Sequence, residues 1–170
     1  MAKAFLDDLV WVECPHLLAL ALATLWPTSS ASLLQAGLDL GASEWVTVSP
    51  EMNRTFADVT LDPIEVEFDG RKYAHGALTT SLLPHLLANA MEVGPSKYVE
   101  EGYLLNYGFN KVRLTEMVPL GSRIRGHFRT SDEGPDDRGE IVVIPIEATI
   151  EIDGLDRPAL AGQLVAAWQR

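Results

Sequence analysis

Apolar residues recur at every second position through most of the chain beyond residue 102, and that period leaves little choice of fold. Val142, Ile144, Ile146, Ala148, Ile150 and Ile152 share one side of a strand predicted over 140–152. Ile124, Gly126 and Phe128 do the same over 122–130, and Leu160, Leu164 and Trp168 over 159–168. A further strand is predicted over 103–114. Pro119-Leu120-Gly121, the polar stretch 131–138 and the segment from Asp153-Gly154 to Pro158 supply turns. An antiparallel sheet with one apolar face needs a cover. One segment can provide it, a helix predicted from Gly76 to Met91, with Leu78, Leu82, Leu83, Leu86, Leu87 and Ala90 on one face. Pro84 falls inside it and should kink it or loosen one turn. The layout is α+β, with the sheet laid against one long apolar helix.

The rest of the chain is less regular. Residues 1–35 read as an N-terminal helical segment in which Pro15 opens a helix, Leu17 to Trp26 continue it and Pro27 stops it. A short helix is expected at 31–36, and Gly37 and Gly41 break the chain before a single domain over 36–170. Trp45-Val46-Thr47-Val48 reads as a strand, and Ser49-Pro50 as the cap and first residue of a helix over Met52–Val59. Residues 60–74 read as a loop with one short extended piece. The ten-residue apolar run 17–26 is too short to span a bilayer. Asp7, Asp8 and Glu13 outweigh Lys3, which argues against a signal peptide. A formal net charge of -11 excludes a nucleic-acid partner, because phosphates would repel it. The one cysteine, Cys14, cannot form an internal disulfide and suits a reducing, cytoplasmic setting. There is no metal-ligand spacing and no phosphate-binding glycine loop, so neither a metal nor a cofactor is expected.

The chemistry concentrates at Tyr73-Ala74-His75-Gly76-Ala77. Glycine lets a ligand approach the backbone, and a helix start offers unpaired N–H groups to a developing negative charge. With His75 and acidic residues nearby, the pattern points to thioester chemistry. A second signal is basic. Lys111 and Arg113 share one strand face, and Arg123, Arg125, His127 and Arg129 share another. That cluster can grip coenzyme A phosphates or an acidic carrier protein, or it can pair with Glu147 and Glu151 of the next strand.

Three segments, in order, resemble the MaoC-like dehydratase branch of the hot-dog fold. They are Leu38 to Thr60, Ala74-His75-Gly76 with its helix, and Leu105 to Leu114 followed by Val118 to Arg125. The resemblance implies a central helix wrapped by an antiparallel sheet of about five strands. It also implies action on acyl thioesters of coenzyme A or acyl carrier protein, interconverting trans-2-enoyl and 3-hydroxyacyl forms. Such proteins are usually dimers whose sheets join edge to edge. The family motif runs Thr-Gly-Asp-x-Asn-Pro-Ile-His, followed by a loop and Ala-His-Gly. Here Thr60-Leu61-Asp62-Pro63-Ile64-Glu65 stands in its place, so Asp62 matches the motif aspartate and Glu65 falls where the histidine belongs.

The candidate catalytic residues are therefore Asp62 to bind or activate water, Glu65 and His75 as proton carriers, and Gly76 as a backbone donor. A raised Glu65 carboxyl, pushed further by the nearby aspartate, would suit that task. Asn106, Tyr107, Lys111, Arg113 and Arg125 are the candidate substrate contacts. Two other readings remain open. One is a non-catalytic hot-dog subunit that binds an acyl ligand or pairs with an active partner. The other is a different enzyme on the same fold, such as a cyclase or a thioesterase, although residues 77–91 hold no carboxylate for the latter.

Overall fold

The four long strands predicted from the period-two pattern form the wall of one antiparallel sheet. The structure, a computed structural model, describes residues 34–63, 65–91 and 103–169. In chain order these fold as β1 (Asp39–Ala42), β2 (Val46–Thr47), α1 (Pro50–Thr60), β3 (Val66–Phe68), β4 (Arg71–Tyr73), α2 (Gly76–Ser81), α3 (Leu83–Ala90), β5 (Tyr103–Leu114), β6 (Arg123–Thr130), β7 (Asp136–Asp137), β8 (Ile141–Ile152) and β9 (Leu160–Gln169). The sheet runs β1-β6-β8-β9-β5, with the two-residue strands β2 and β7 added to β6 and β8, and β3–β4 stand apart as a hairpin.

The register keeps each apolar set on one face. Ile146 lies opposite Leu164 and Ile150 opposite Leu160, all at most 2% exposed. Against them pack Leu78, Leu83, Leu86 and Leu87 of the helical segment. This is the hot-dog arrangement, with the helix as filling and the sheet as wrap. Pro84 has the expected effect. Regular helix is interrupted at Leu82, where α2 ends and α3 begins, while Leu86 N–H still reaches the Leu82 carbonyl at 2.9 Å. Gly126 lets α3 lie close to β6, since a Cβ there would come within 3.1 Å of Leu86 Cβ and 2.5 Å of the Phe128 ring.

Several expectations are corrected. The short helix expected at 31–36 is absent over 34–36, which form turns, and 31–33 lie outside the described residues. Residues 39–42, read as a glycine break, form β1 on β6. Gly41, at φ +87°, falls where the register shifts, so the glycine bends the strand instead of ending it. The strand expected over 45–48 shrinks to Val46–Thr47. The loop expected over 60–74 contains the β3–β4 hairpin, turned by Asp69-Gly70 with both φ positive. The N-terminal helical segment lies outside the described residues except for 34 and 35. Among the described residues no helix is long and apolar enough to cross a membrane.

Candidate active site

Two helix ends meet at the site. Ser49 caps α1 by accepting the Met52 N–H at 3.0 Å, and Pro50 takes the first turn, where its missing N–H costs nothing. The helix closes through Leu61, which adopts the left-handed conformation at φ 57°. Leu61 occupies the glycine position of the Thr-Gly-Asp motif, so that glycine answers a backbone demand that leucine meets here with strain. The turn delivers Asp62, whose N–H bonds the Ala57 carbonyl at 3.1 Å.

The second end is α2, capped by His75. His75 Nδ1 accepts the Ala77 N–H at 3.1 Å, so the Nδ1 lone pair is in use and the ring proton sits on Nε2. That Nε2–H points at Asp62 Oδ2, 2.7 Å away. One histidine thus starts a helix and holds a carboxylate. The imidazole is 17% exposed and the carboxylate 38%, so the pair is sheltered but open to solvent on the Asp62 side. Phe56 of α1 stacks obliquely on the imidazole with ring centroids 5.4 Å apart. Asn53, buried one turn earlier, accepts the His75 backbone N–H at 2.7 Å. As first residue of the helix, Gly76 keeps an N–H that the helix cannot satisfy. Its Cα faces Leu114, whose Cδ1 lies 2.5 Å from where a Cβ would be.

The structure thus brings together Asp62, His75 and Gly76. Glu65 takes a different partner, Lys72 Nζ at 2.8 Å, and is largely exposed. The hydrogen bond from Lys72, with its charge, holds the Glu65 carboxyl below its ordinary value. This reverses the expected rise and leaves Glu65 a poor proton donor near neutrality. Asn106 and Tyr107 are exposed on β5, where the register slips at Tyr107. Lys111 and Arg113 are exposed at the second irregularity of that strand, with Lys111 at φ 52° and Leu114 just beyond. Arg125 is on the outer sheet face, 3.1 Å from Glu151 and stacked over Trp45.

The basic face pairs with neighbouring carboxylates. Arg123 meets Asp153 at 2.5 Å, Arg129 meets Asp132 at 2.5 Å, and His127 joins Arg125 on Glu151. Glu147, expected as the second acidic partner, accepts Gln163 Nε2 at 2.9 Å. Burial pushes the Glu151 carboxyl up, but hydrogen bonds from His127 and Arg125, with their charges, outweigh it and hold the carboxyl below its ordinary value. A carboxyl depressed on folding stabilises above its unfolded value and loses that contribution as pH falls through the folded one. Glu151→Gln should therefore lower stability by roughly 1 kcal/mol near pH 7, and the gap should narrow as pH falls through the lowered folded value. Thermal unfolding of both proteins across that range checks it.

Asn53 and Phe56 are the site residues that sequence reasoning misses. Phe56 reads as one more apolar helix residue, and nothing local distinguishes Asn53 from a surface polar residue. Asn53→Ala should cost about 1–3 kcal/mol by stranding the His75 N–H. Thermal melts of the variant beside the wild type check it. Among the described residues no cluster of three His, Cys, Asp or Glu is placed to hold a metal ion.

An α+β wrap around a central helix, with an Asp–His pair at the start of that helix, defines a hot-dog protein. No family model matches the sequence. The 3-hydroxyacyl-thioester dehydratase Z of Mycobacterium tuberculosis is 34% identical over 143 residues, covering 78% of this chain and 90% of its own. Nodulation protein N of Rhizobium meliloti is 34% identical over 143 residues, covering 78% and 86%. The crystal structure of the MaoC-like dehydratase from Rhodospirillum rubrum superimposes with a TM-score of 0.60 at 14% identity, covering 81% of this chain and 94% of that one. The chain belongs to the MaoC-like dehydratase family.

Proposed function

We propose that the protein is an acyl-thioester hydratase/dehydratase that interconverts trans-2-enoyl and 3-hydroxyacyl thioesters through the pair Asp62–His75. The observation that carries this reading is the 2.7 Å contact between the two side chains at the start of the central helix. The dehydratase name of the Mycobacterium tuberculosis relative supports the same reaction class.

In the hydration direction, Asp62 takes a proton from water while the oxygen bonds the β-carbon. The carbon–carbon π bond breaks, and Asp62 hands the proton it took from water to the α-carbon, which returns the carboxylate to its starting form. His75 does not have to shuttle that proton, because its Nδ1 is occupied by Ala77 and its Nε2–H is spent on Asp62. Its task is to aim the carboxylate. The Gly76 N–H polarises the thioester carbonyl, where charge builds as the α-carbon takes its proton. Lys111 and Arg113, exposed beside Leu114, meet the anionic part of the carrier, a reading that their charge and exposure support. The protein acts as a dimer of identical chains joined along β5, which pairs with β9 alone among the described strands and exposes Leu105, Tyr107 and Phe109. A cytoplasmic location agrees with the one cysteine of the chain.

The test is loss of the enoyl chromophore when purified protein meets a trans-2-enoyl thioester, with the 3-hydroxyacyl product identified by mass. No turnover by folded protein would remove this reading in favour of a binding subunit. Gly76→Ala sharpens the test. The new methyl displaces only the flexible end of Leu114 and meets no backbone strain, so melting should change little. If the thioester carbonyl docks on the Gly76 N–H, kcat should still fall, by roughly tenfold or more.

A further inference from the structure

The hydratase reading leaves open how long an acyl chain the site takes, and one side of α1 bears on that question. Met52, Thr55, Phe56 and Val59 recur at helical spacing and form one stripe along α1. Together with the buried Leu78 they line a depression of about 490 Å³. The depression is open to solvent, and its lining offers mostly apolar surface to a chain laid along it. Of its lining residues only Glu51, in the first turn, carries a charge. Val59 is 77% exposed, a large apolar side chain facing solvent beside Met52 and Phe56, which pack against the core. The stripe also runs into the catalytic pair, because Phe56 belongs both to the depression and to the wall of the His75 ring. Leu78 lies two residues beyond Gly76, so the far wall starts where the thioester carbonyl would dock.

We infer that this groove holds the hydrocarbon tail of the substrate and makes the protein selective for acyl chains longer than four carbons. The inference rests on the hydratase reading for the position of the reacting carbons. A chain held with its α- and β-carbons at Asp62–His75 can bury further methylenes against Phe56, Met52 and Val59. Each methylene removed from water adds affinity. A shorter chain ends at Phe56 and gains nothing from the rest of the stripe.

The test uses saturated thioesters, which lack the double bond and cannot be hydrated. Butanoyl and octanoyl pantetheine thioesters are titrated by calorimetry into the wild-type protein, Val59→Trp and Thr55→Trp. Both positions are exposed, so neither substitution disturbs the core. The wild type should bind the octanoyl thioester on the order of tenfold or more tighter than the butanoyl one. Filling the groove should collapse that preference. Equal affinity for the two chain lengths in the wild type overturns the inference, and so does a preference that survives both substitutions. Sedimentation of the same proteins covers the competing occupant. If the tryptophan variants lose self-association and keep the chain preference, a second copy of the chain fills the groove and the inference fails. A chain preference in a protein with no enoyl turnover would uphold the groove and reject the hydratase reading, so the two fail separately.

Discussion

Asp62→Asn is expected to lower kcat for enoyl-thioester hydration by roughly a hundred- to ten-thousand-fold while the protein stays folded. The amide has the shape of the carboxylate, and its oxygen can still accept the His75 Nε2–H that now lies 2.7 Å away. The side chain is 38% exposed, so no buried charge is stranded by the change. What disappears is the ability to take a proton from water. A purely structural Asp62, present to finish α1 and tie the turn to His75, would lose little on becoming asparagine. Initial rates with a trans-2-enoyl thioester, beside thermal melts, separate the two cases.

His75→Asn should have the second largest effect, about a hundredfold on kcat with a stability change within about 1 kcal/mol. Asparagine is among the best N-cap residues, so its side-chain oxygen can replace Nδ1 as acceptor for the Ala77 N–H. It is too short to reach Asp62. The substitution thus removes the dyad and spares the cap. His75→Ala removes both and should melt lower by the cost of a lost cap, about 1 kcal/mol more. If the asparagine variant turns over at the wild-type rate, His75 serves only to start the helix. Rates and melting curves for both variants decide this.

How much of this was legible beforehand differs between fold and site. The wall of the sheet was plain because period two persists over β6 and β8, where a buried face fixes register strongly, whereas β5 slips register twice. Pro84 declared the break between α2 and α3, since a residue without an N–H cannot continue the ladder. The small strands were not legible. β1 hid behind Gly41, and the β3–β4 hairpin rests on the Asp69-Gly70 turn alone, because strands of three residues are too short to show a period. In the site, motif matching picked out Asp62, His75 and Gly76. Their mutual arrangement was not readable, because it depends on a left-handed leucine at 61 and on which histidine nitrogen caps the helix. Motif position also suggested Glu65, but a motif position does not show that Lys72, seven residues on, turns back through the hairpin to neutralise it. Asn53 could not be found at all, since its partner is 22 residues away.

The most direct measurement is a double-variant cycle on kcat with Asp62→Asn, His75→Asn and the two combined. If aspartate and histidine work as one unit, the double variant should be no more than about twofold slower than the slower single variant. Losses that multiply, each change costing as much in the variant background as in the wild type, would show two independent residues and contradict a catalytic pair.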